Sequence, residues 1–146
     1  GTVTGVQTCA LPILDKTMAT LFTRIINGEI PCYKIAEDDR FIAFLDILPV
    51  AKGHTLVVPK KEIDYIFDLP NEELQALNLF AKEVARKIQS VIPCKKIGLS
   101  VIGLEVPHAH MHLIPINHIH DMNFEKERLK FTPEEYKNLA EAISQA

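Results

Sequence analysis

Residues 107–115 read Pro-His-Ala-His-Met-His-Leu-Ile-Pro. Side chains of an extended chain alternate between two faces. A strand over this stretch therefore sets His108, His110 and His112 on one face and Ala109, Met111 and Leu113 on the other. Each neutral imidazole brings a donor and an acceptor that need partners, so three in a row are an expensive way to fill a packing surface. Three readings compete: the exposed polar face of an edge strand, a metal site, and covalent catalysis on phosphorus. At the strand rise the outer two histidines stand roughly 13 Å apart, whereas zinc–nitrogen bonds are only about 2 Å long. One ion reaches two alternate histidines but reaches three awkwardly, and no CxxC or HExxH supplies further ligands. For phosphorus the types fit better. An imidazole is largely neutral near pH 7 and is then a competent nucleophile. A neighbouring imidazolium can stabilise developing phosphoryl charge and protonate a leaving group.

The elements that must position this row are read from periodicity. Thr20 to Asn27 reads as a short helix, with Leu21, Phe22, Ile25 and Ile26 on one face and Gly28 as its stop. Cys32 to Glu37 and Phe41 to Leu45 are β-prone, joined by a polar Asp38-Asp39-Arg40 turn. His54 to Val58 is a third strand, stopped by Pro59. Asn71 to Gln89 carries Leu74, Leu77, Ala81, Val84, Ala85 and Ile88 at helical spacing, with Glu72 and Glu73 in its first turn. Ile97 to Ile102 and Val106 to Ile114 are two further strands. Thr132-Pro133-Glu134-Glu135 starts a last helix with Tyr136, Leu139, Ala140 and Ile143 as its apolar face. The expected fold class is α+β, an antiparallel sheet with helices packed on it.

Composition narrows the function classes. With 146 residues, 47% hydrophobic and 24% charged, the chain has ordinary globular make-up and is too apolar for disorder. Its net charge of -3 excludes tight nonspecific nucleic-acid binding, which needs basic patches. No apolar run approaches the ~18–20 residues of a membrane span. Cys9, Cys32 and Cys94 form no disulfide framework, which fits a reducing, cytoplasmic compartment. Residues 1–17 stand apart. The run from Val3 to Ile13 shares no helical or strand period with the residues after it, lacks the marks of a secretion signal, and resembles a sequencing-library adaptor translated in one frame. The expectation is a non-native extension over 1–17 and a domain over 18–146, beginning at Met18. Asp15 and Lys16 cancel, so the trimming leaves the net charge unchanged.

His-Ala-His-Met-His-Leu-Ile resembles the signature of the histidine triad (HIT) family, in which histidines alternate with apolar residues. Leu21 to Pro31 (LFTRIINGEIP) is similar to that family's opening helix and turn, and Phe41 to Lys61 to its central hairpin region. The resemblance covers most of Met18 to Pro115 and points to the Hint-like nucleotide hydrolase branch. It implies a five-stranded antiparallel sheet, a two-fold homodimer built through the long helix and a sheet edge, and chemistry on the α-phosphate of nucleotide conjugates such as purine nucleoside phosphoramidates or dinucleoside polyphosphates. His110 would attack phosphorus, His108 would orient it, and His112 would contact the phosphate and leaving group. His54, which alone reads as a strand-end surface residue, matches the family's fourth active-site histidine. Asp46 matches the carboxylate that bonds ribose hydroxyls, and Phe22, Ile25, Phe44 and Ile47 match the apolar base pocket.

The run Ser100-Val101-Ile102-Gly103-Leu104-Glu105-Val106-Pro107 departs from the family. Ser100 takes the place of an Asn, and the connection is about three residues shorter. Leu104 stands where a Gln would bond a phosphate oxygen, and Glu105 where Ser or Thr is common. Glu105 is expected to pair with a triad histidine or to tune leaving-group choice. The lost Gln-like contact sustains a rival reading, a nucleotide-binding sensor or scaffold with weak catalysis. Some family members hold a structural zinc; Thr20, Thr23 and Glu62 occupy the ligand positions here, and hydroxyls do not replace thiolates for zinc. No cofactor and no metal are expected. His118 and His120 read as a surface loop.

Overall fold

The computed structural model describes residues 20–146, so the expectation for residues 1–17 lies outside the described residues. Two units divide the chain at Pro31. The described part of the first, residues 20–31, holds α1 (Leu21–Ile26). Thr20 caps it by accepting a hydrogen bond from the Thr23 amide at 3.1 Å, and Gly28, at φ 80°, follows its C-cap.

The second unit, Cys32–Ala146, holds everything else. Its strands are β1 (Lys34–Glu37), β2 (Phe41–Leu45), β3 (Thr55–Pro59), β4 (Lys96–Ser100) and β5 (Met111–Ile116). They form one antiparallel sheet in the order β1-β2-β3-β5-β4. The β1–β2 turn closes because Asp38 Oδ1 accepts from both the Arg40 and Phe41 amides at 2.8 Å. Between β2 and β3, Gly53 takes φ 91°, and a Cβ there would press on Ile92 and Pro115 side chains. Helix α2 (Asn71–Val91) and helix α3 (Pro133–Ser144) cover one sheet face. The start of α3 is a capping box in which Thr132 and Glu135 bond each other's amides.

Core residues Ala43, Leu45, Val57, Met111 and Leu113 point at Leu77, Ala81, Val84 and Ile88 of α2 and at Tyr136, Ala140 and Ile143 of α3. The opposite face carries a row in register across four strands: Phe44 opposes Leu56, Leu56 opposes His112, and His112 opposes Ser100. Directly opposed residues share a face. The alternation of β5 thus divides Met111 and Leu113, which hold the strand to the helices, from His112, which lies on the other side.

One expectation is corrected. The last strand does not begin at Val106; regular pairing with β3 stops at Met111, and His108 and His110 lie in the irregular chain before it. Here the Ala109 amide bonds the Ile63 carbonyl at 2.7 Å, and the His108 ring bonds the Pro59 carbonyl, so these groups leave the ladder. The edge-strand reading of the histidines, one of the three set against each other above, is excluded for His112, because β5 is paired on both sides by β3 and β4. Among the described residues no helix is long and apolar enough to cross a membrane.

Candidate active site

Four histidines, His54, His108, His110 and His112, are buried, with 1%, 0%, 7% and 9% of their surfaces exposed. His54 enters from the β2–β3 loop, His112 from β5, and His108 and His110 from the chain leading into β5. The His110 and His112 ring centroids are 4.9 Å apart, and those of His54 and His112 5.2 Å. Main-chain groups with fixed donor or acceptor character determine where each ring keeps its proton. The Val50 amide donates to His54 Nδ1 at 3.0 Å, so neutral His54 carries its proton on Nε2. That Nε2–H donates to His112 Nδ1 at 2.9 Å, which leaves the His112 proton on Nε2. His110 Nδ1 lies 2.8 Å from the His108 carbonyl, which only accepts; the proton is on Nδ1 and the lone pair is on Nε2. His108 Nε2 donates to the Pro59 carbonyl at 2.7 Å by the same logic.

Burial lowers the pKa of all four rings. His54 is pushed down to about 3, by burial first and then by the positive charges of Arg128 and His110. His112 is also pushed down to about 3, by burial first and then by His110 and His54. His110 and His108 are lowered by burial, partly offset by their carbonyl hydrogen bonds and by the carboxylates of Asp46 and Glu62 respectively. Asp46 Oδ2 lies 3.4 Å from His54 Nε2, a second and longer contact of the same N–H. Its Oδ1 accepts from the Leu48 amide at 2.8 Å. A ligand atom from each of Asp46, His54 and His112 lies within 4.8 Å of the others, close enough to share one metal ion. The Val50 amide keeps the His54 proton on Nε2, however, so an ion there has to displace it.

A HIT domain model matches residues 27–119. This chain belongs to the HIT family. An uncharacterized HIT-like protein of Mycoplasma genitalium is 40% identical over 108 residues, covering 69% of this chain and 75% of the relative. The adenosine 5'-monophosphoramidase of Schizosaccharomyces pombe is 34% identical over 130 residues, covering 87% of this chain and 97% of the relative. Among solved structures, the hypothetical histidine triad nucleotide-binding protein of Sulfolobus tokodaii matches with a TM-score of 0.72 and 30% identity, over 85% of this chain and 89% of that one. The HIT family thus includes nucleotide-binding proteins and nucleotide hydrolases.

Of the residues the HIT resemblance singles out, His54, His110, His112 and Asp46 come together in one cluster. His54 is not a surface residue; its ring is enclosed and doubly hydrogen-bonded. It is the main-chain carbonyl of His108 that bonds the His110 ring, while the His108 side chain turns to Pro59. Phe44 and Ser100 lie in the cross-strand row with His112. Ile47 is 67% exposed beside Asp46. Phe22, which is buried, and Ile25 lie on α1 in the first unit. Leu104, 90% exposed, and Glu105 lie on the surface of the loop before the triad, and the carboxylate acting on His108 is that of Glu62. His118 and His120 lie in an exposed turn, where Asp121 accepts from the Asn117 and His118 amides.

Three participants escaped the sequence reading. Phe124 sets its ring edge-on to His112 at 4.8 Å and to His54 at 6.1 Å. Arg128 bonds the Leu48 carbonyl. The Tyr136 hydroxyl donates to the Asp46 carbonyl at 2.9 Å, and burial, with Asp46 and Tyr33, pushes its pKa up to about 12. The only signal for the first two was an aromatic and an arginine within a polar stretch.

Proposed function

We propose that this HIT protein is a hydrolase or transferase acting on the α-phosphate of nucleotide conjugates, phosphoramidates or dinucleoside polyphosphates, through a nucleotidyl intermediate on His110. The observation that carries this reading is the 2.8 Å hydrogen bond from His110 Nδ1 to the His108 carbonyl, which makes Nε2 the basic nitrogen of a neutral ring. Attack by Nε2 forms a nitrogen–phosphorus bond, and the bond to the leaving group breaks with its electron pair departing on that group; a phosphate leaves as the anion, and an amine takes up a proton from solvent as it departs. His112, whose proton is set on Nε2 through His54, donates to the phosphate and leaving-group side. Asp46 accepts from ribose hydroxyls. Water then attacks phosphorus, releases one proton to solvent, and returns the bonding pair to Nε2 with loss of a nucleoside monophosphate. Another acceptor in place of water makes the same intermediate a transferase.

A cytoplasmic setting suits the described cysteines, Cys32 and Cys94, which are both free thiols. Among the described residues the outer side of β4 has no strand partner, and this edge, with Leu99 and Ile102 exposed near it, suits the interface of a two-fold dimer. The decisive experiment uses conjugates labelled at the α-phosphate, quenched in denaturant during turnover. Acid-labile label on the wild-type protein, lost together with turnover in His110→Ala, is the expected result. Turnover that survives His110→Ala overturns the mechanism, and nucleotide binding without turnover of any conjugate favours the sensor reading instead.

A further inference from the structure

The polar segment between β5 and α3 folds back over the histidines and carries a fixed cation. Arg128 Nη2 donates to the Phe124 carbonyl at 2.7 Å and Nη1 to the Leu48 carbonyl at 2.6 Å, while the Leu129 amide bonds the Pro49 carbonyl at 2.9 Å. The guanidinium is therefore clamped between this strap and the Asp46–Val50 loop. That loop also holds the Asp46 carboxylate through the Leu48 amide and the His54 ring through the Val50 amide. Phe124, whose carbonyl Arg128 bonds, sets its ring edge-on to His112 at 4.8 Å and to His54 at 6.1 Å, and the Arg128 charge acts on both rings. It stands, then, at the His112 end of the row. Glu125 and Glu127 flank it in sequence but are exposed.

We propose that Arg128 is a specificity-determining residue that favours leaving groups departing as phosphate anions over leaving groups departing as neutral amines. The inference rests on the reading above, in which His112 faces the leaving group. When His110 Nε2 forms its bond to phosphorus in a phosphoanhydride, the phosphorus–oxygen bond breaks and its electron pair remains on the departing oxygen as negative charge. His110 keeps its Nδ1 proton and holds the positive charge of the imidazolium. No proton is needed, and the nearby guanidinium offsets the charge that develops. An amine, by contrast, must gain a proton as its phosphorus–nitrogen bond breaks. Burial keeps neighbouring His112 neutral near pH 7, so in the free site that ring has a hydrogen bond to give but no excess proton.

The test is the ratio of kcat/KM for a dinucleoside polyphosphate to that for an adenosine phosphoramidate with an amine leaving group, measured in wild type, Arg128→Gln and Arg128→Lys. Loss of the guanidinium charge that offsets the departing phosphate predicts a fall in this ratio of about tenfold or more in Arg128→Gln, with partial recovery in Arg128→Lys. In the wild type the ratio should also decline as salt rises, a readout that requires no variant to fold. An unchanged ratio, or equal losses on both substrates with a lowered melting temperature, overturns the proposal and leaves Arg128 as a structural clamp. A wild type that forms the His110 intermediate with a salt-independent ratio overturns this inference alone. A wild type that cleaves neither conjugate overturns the hydrolase reading along with it.

Discussion

Acidification from pH 7.5 to pH 5 should destabilise the fold through the imidazoles that burial holds neutral. His54 and His112 titrate at about 3 in the folded chain, against about 6.5 for an unfolded histidine. Between those values the unfolded chain binds protons that the folded chain refuses. Stability contributed by neutral burial is thus complete above about pH 6.5 and is lost as pH falls towards 3. Each such proton lowers stability by about 1.4 kcal/mol per pH unit. At pH 5, about 1.5 units below the unfolded value, the loss is at most about 2 kcal/mol for each ring and about 4 kcal/mol for the pair. His108 and His110 are lowered too and act in the same direction. The lowered carboxylates Glu37 and Asp121 contribute only at still lower pH, beneath their ordinary values of 4.5 and 3.8. Against a typical total of about 5–15 kcal/mol, the loss is large. Urea denaturation at pH 7.5, 6 and 5 measures it. In His112→Asn the slope of stability against pH should be shallower by about 1.4 kcal/mol per unit, whatever constant offset the lost hydrogen bond adds. Equal stability at pH 7.5 and 5, or an unaltered slope in His112→Asn, would refute the claim that this ring is held neutral.

Two further outcomes rest on the same geometry. His54→Asn should lower kcat by on the order of a hundredfold while leaving nucleotide affinity within a few-fold, because it removes the N–H that fixes His112; nitrogen NMR shifts should then show His112 as a mixture of tautomers. Asp46→Asn should raise KM for a ribonucleotide conjugate by about tenfold and leave the 2',3'-dideoxy analogue nearly unaffected, so parallel losses on both would remove Asp46 from ribose recognition.

The fold was legible where periodicity was strong. Leu77, Ala81, Val84 and Ile88 announce α2 by spacing alone, and they are among its buried residues. Thr132, Pro133 and Glu135 mark the start of α3. Boundaries were less legible because partners decide them. The alternation of His108 to Leu113 suits a strand throughout, yet β5 begins at Met111, since Ala109 finds its acceptor at Ile63 rather than on β3. A period-2 pattern records which face each side chain takes and not where the ladder ends.

The same distinction governs the site. Residue types could show that His108, His110 and His112 form a chemical row, because three imidazoles at alternate positions are hard to account for by packing. They could not show which ring nitrogen is basic. That assignment comes from the Val50 amide and the carbonyls of Pro59 and His108. Main-chain groups of this kind belong to almost every residue, so no letter of the sequence marks them. Arg128 is hidden for a related reason: its two hydrogen bonds go to carbonyls, one of them 80 positions away in sequence. What the folded chain adds to the motif is therefore a set of backbone dipoles. They turn four like side chains into unlike ones, with His110 offering a lone pair and His112 offering a proton.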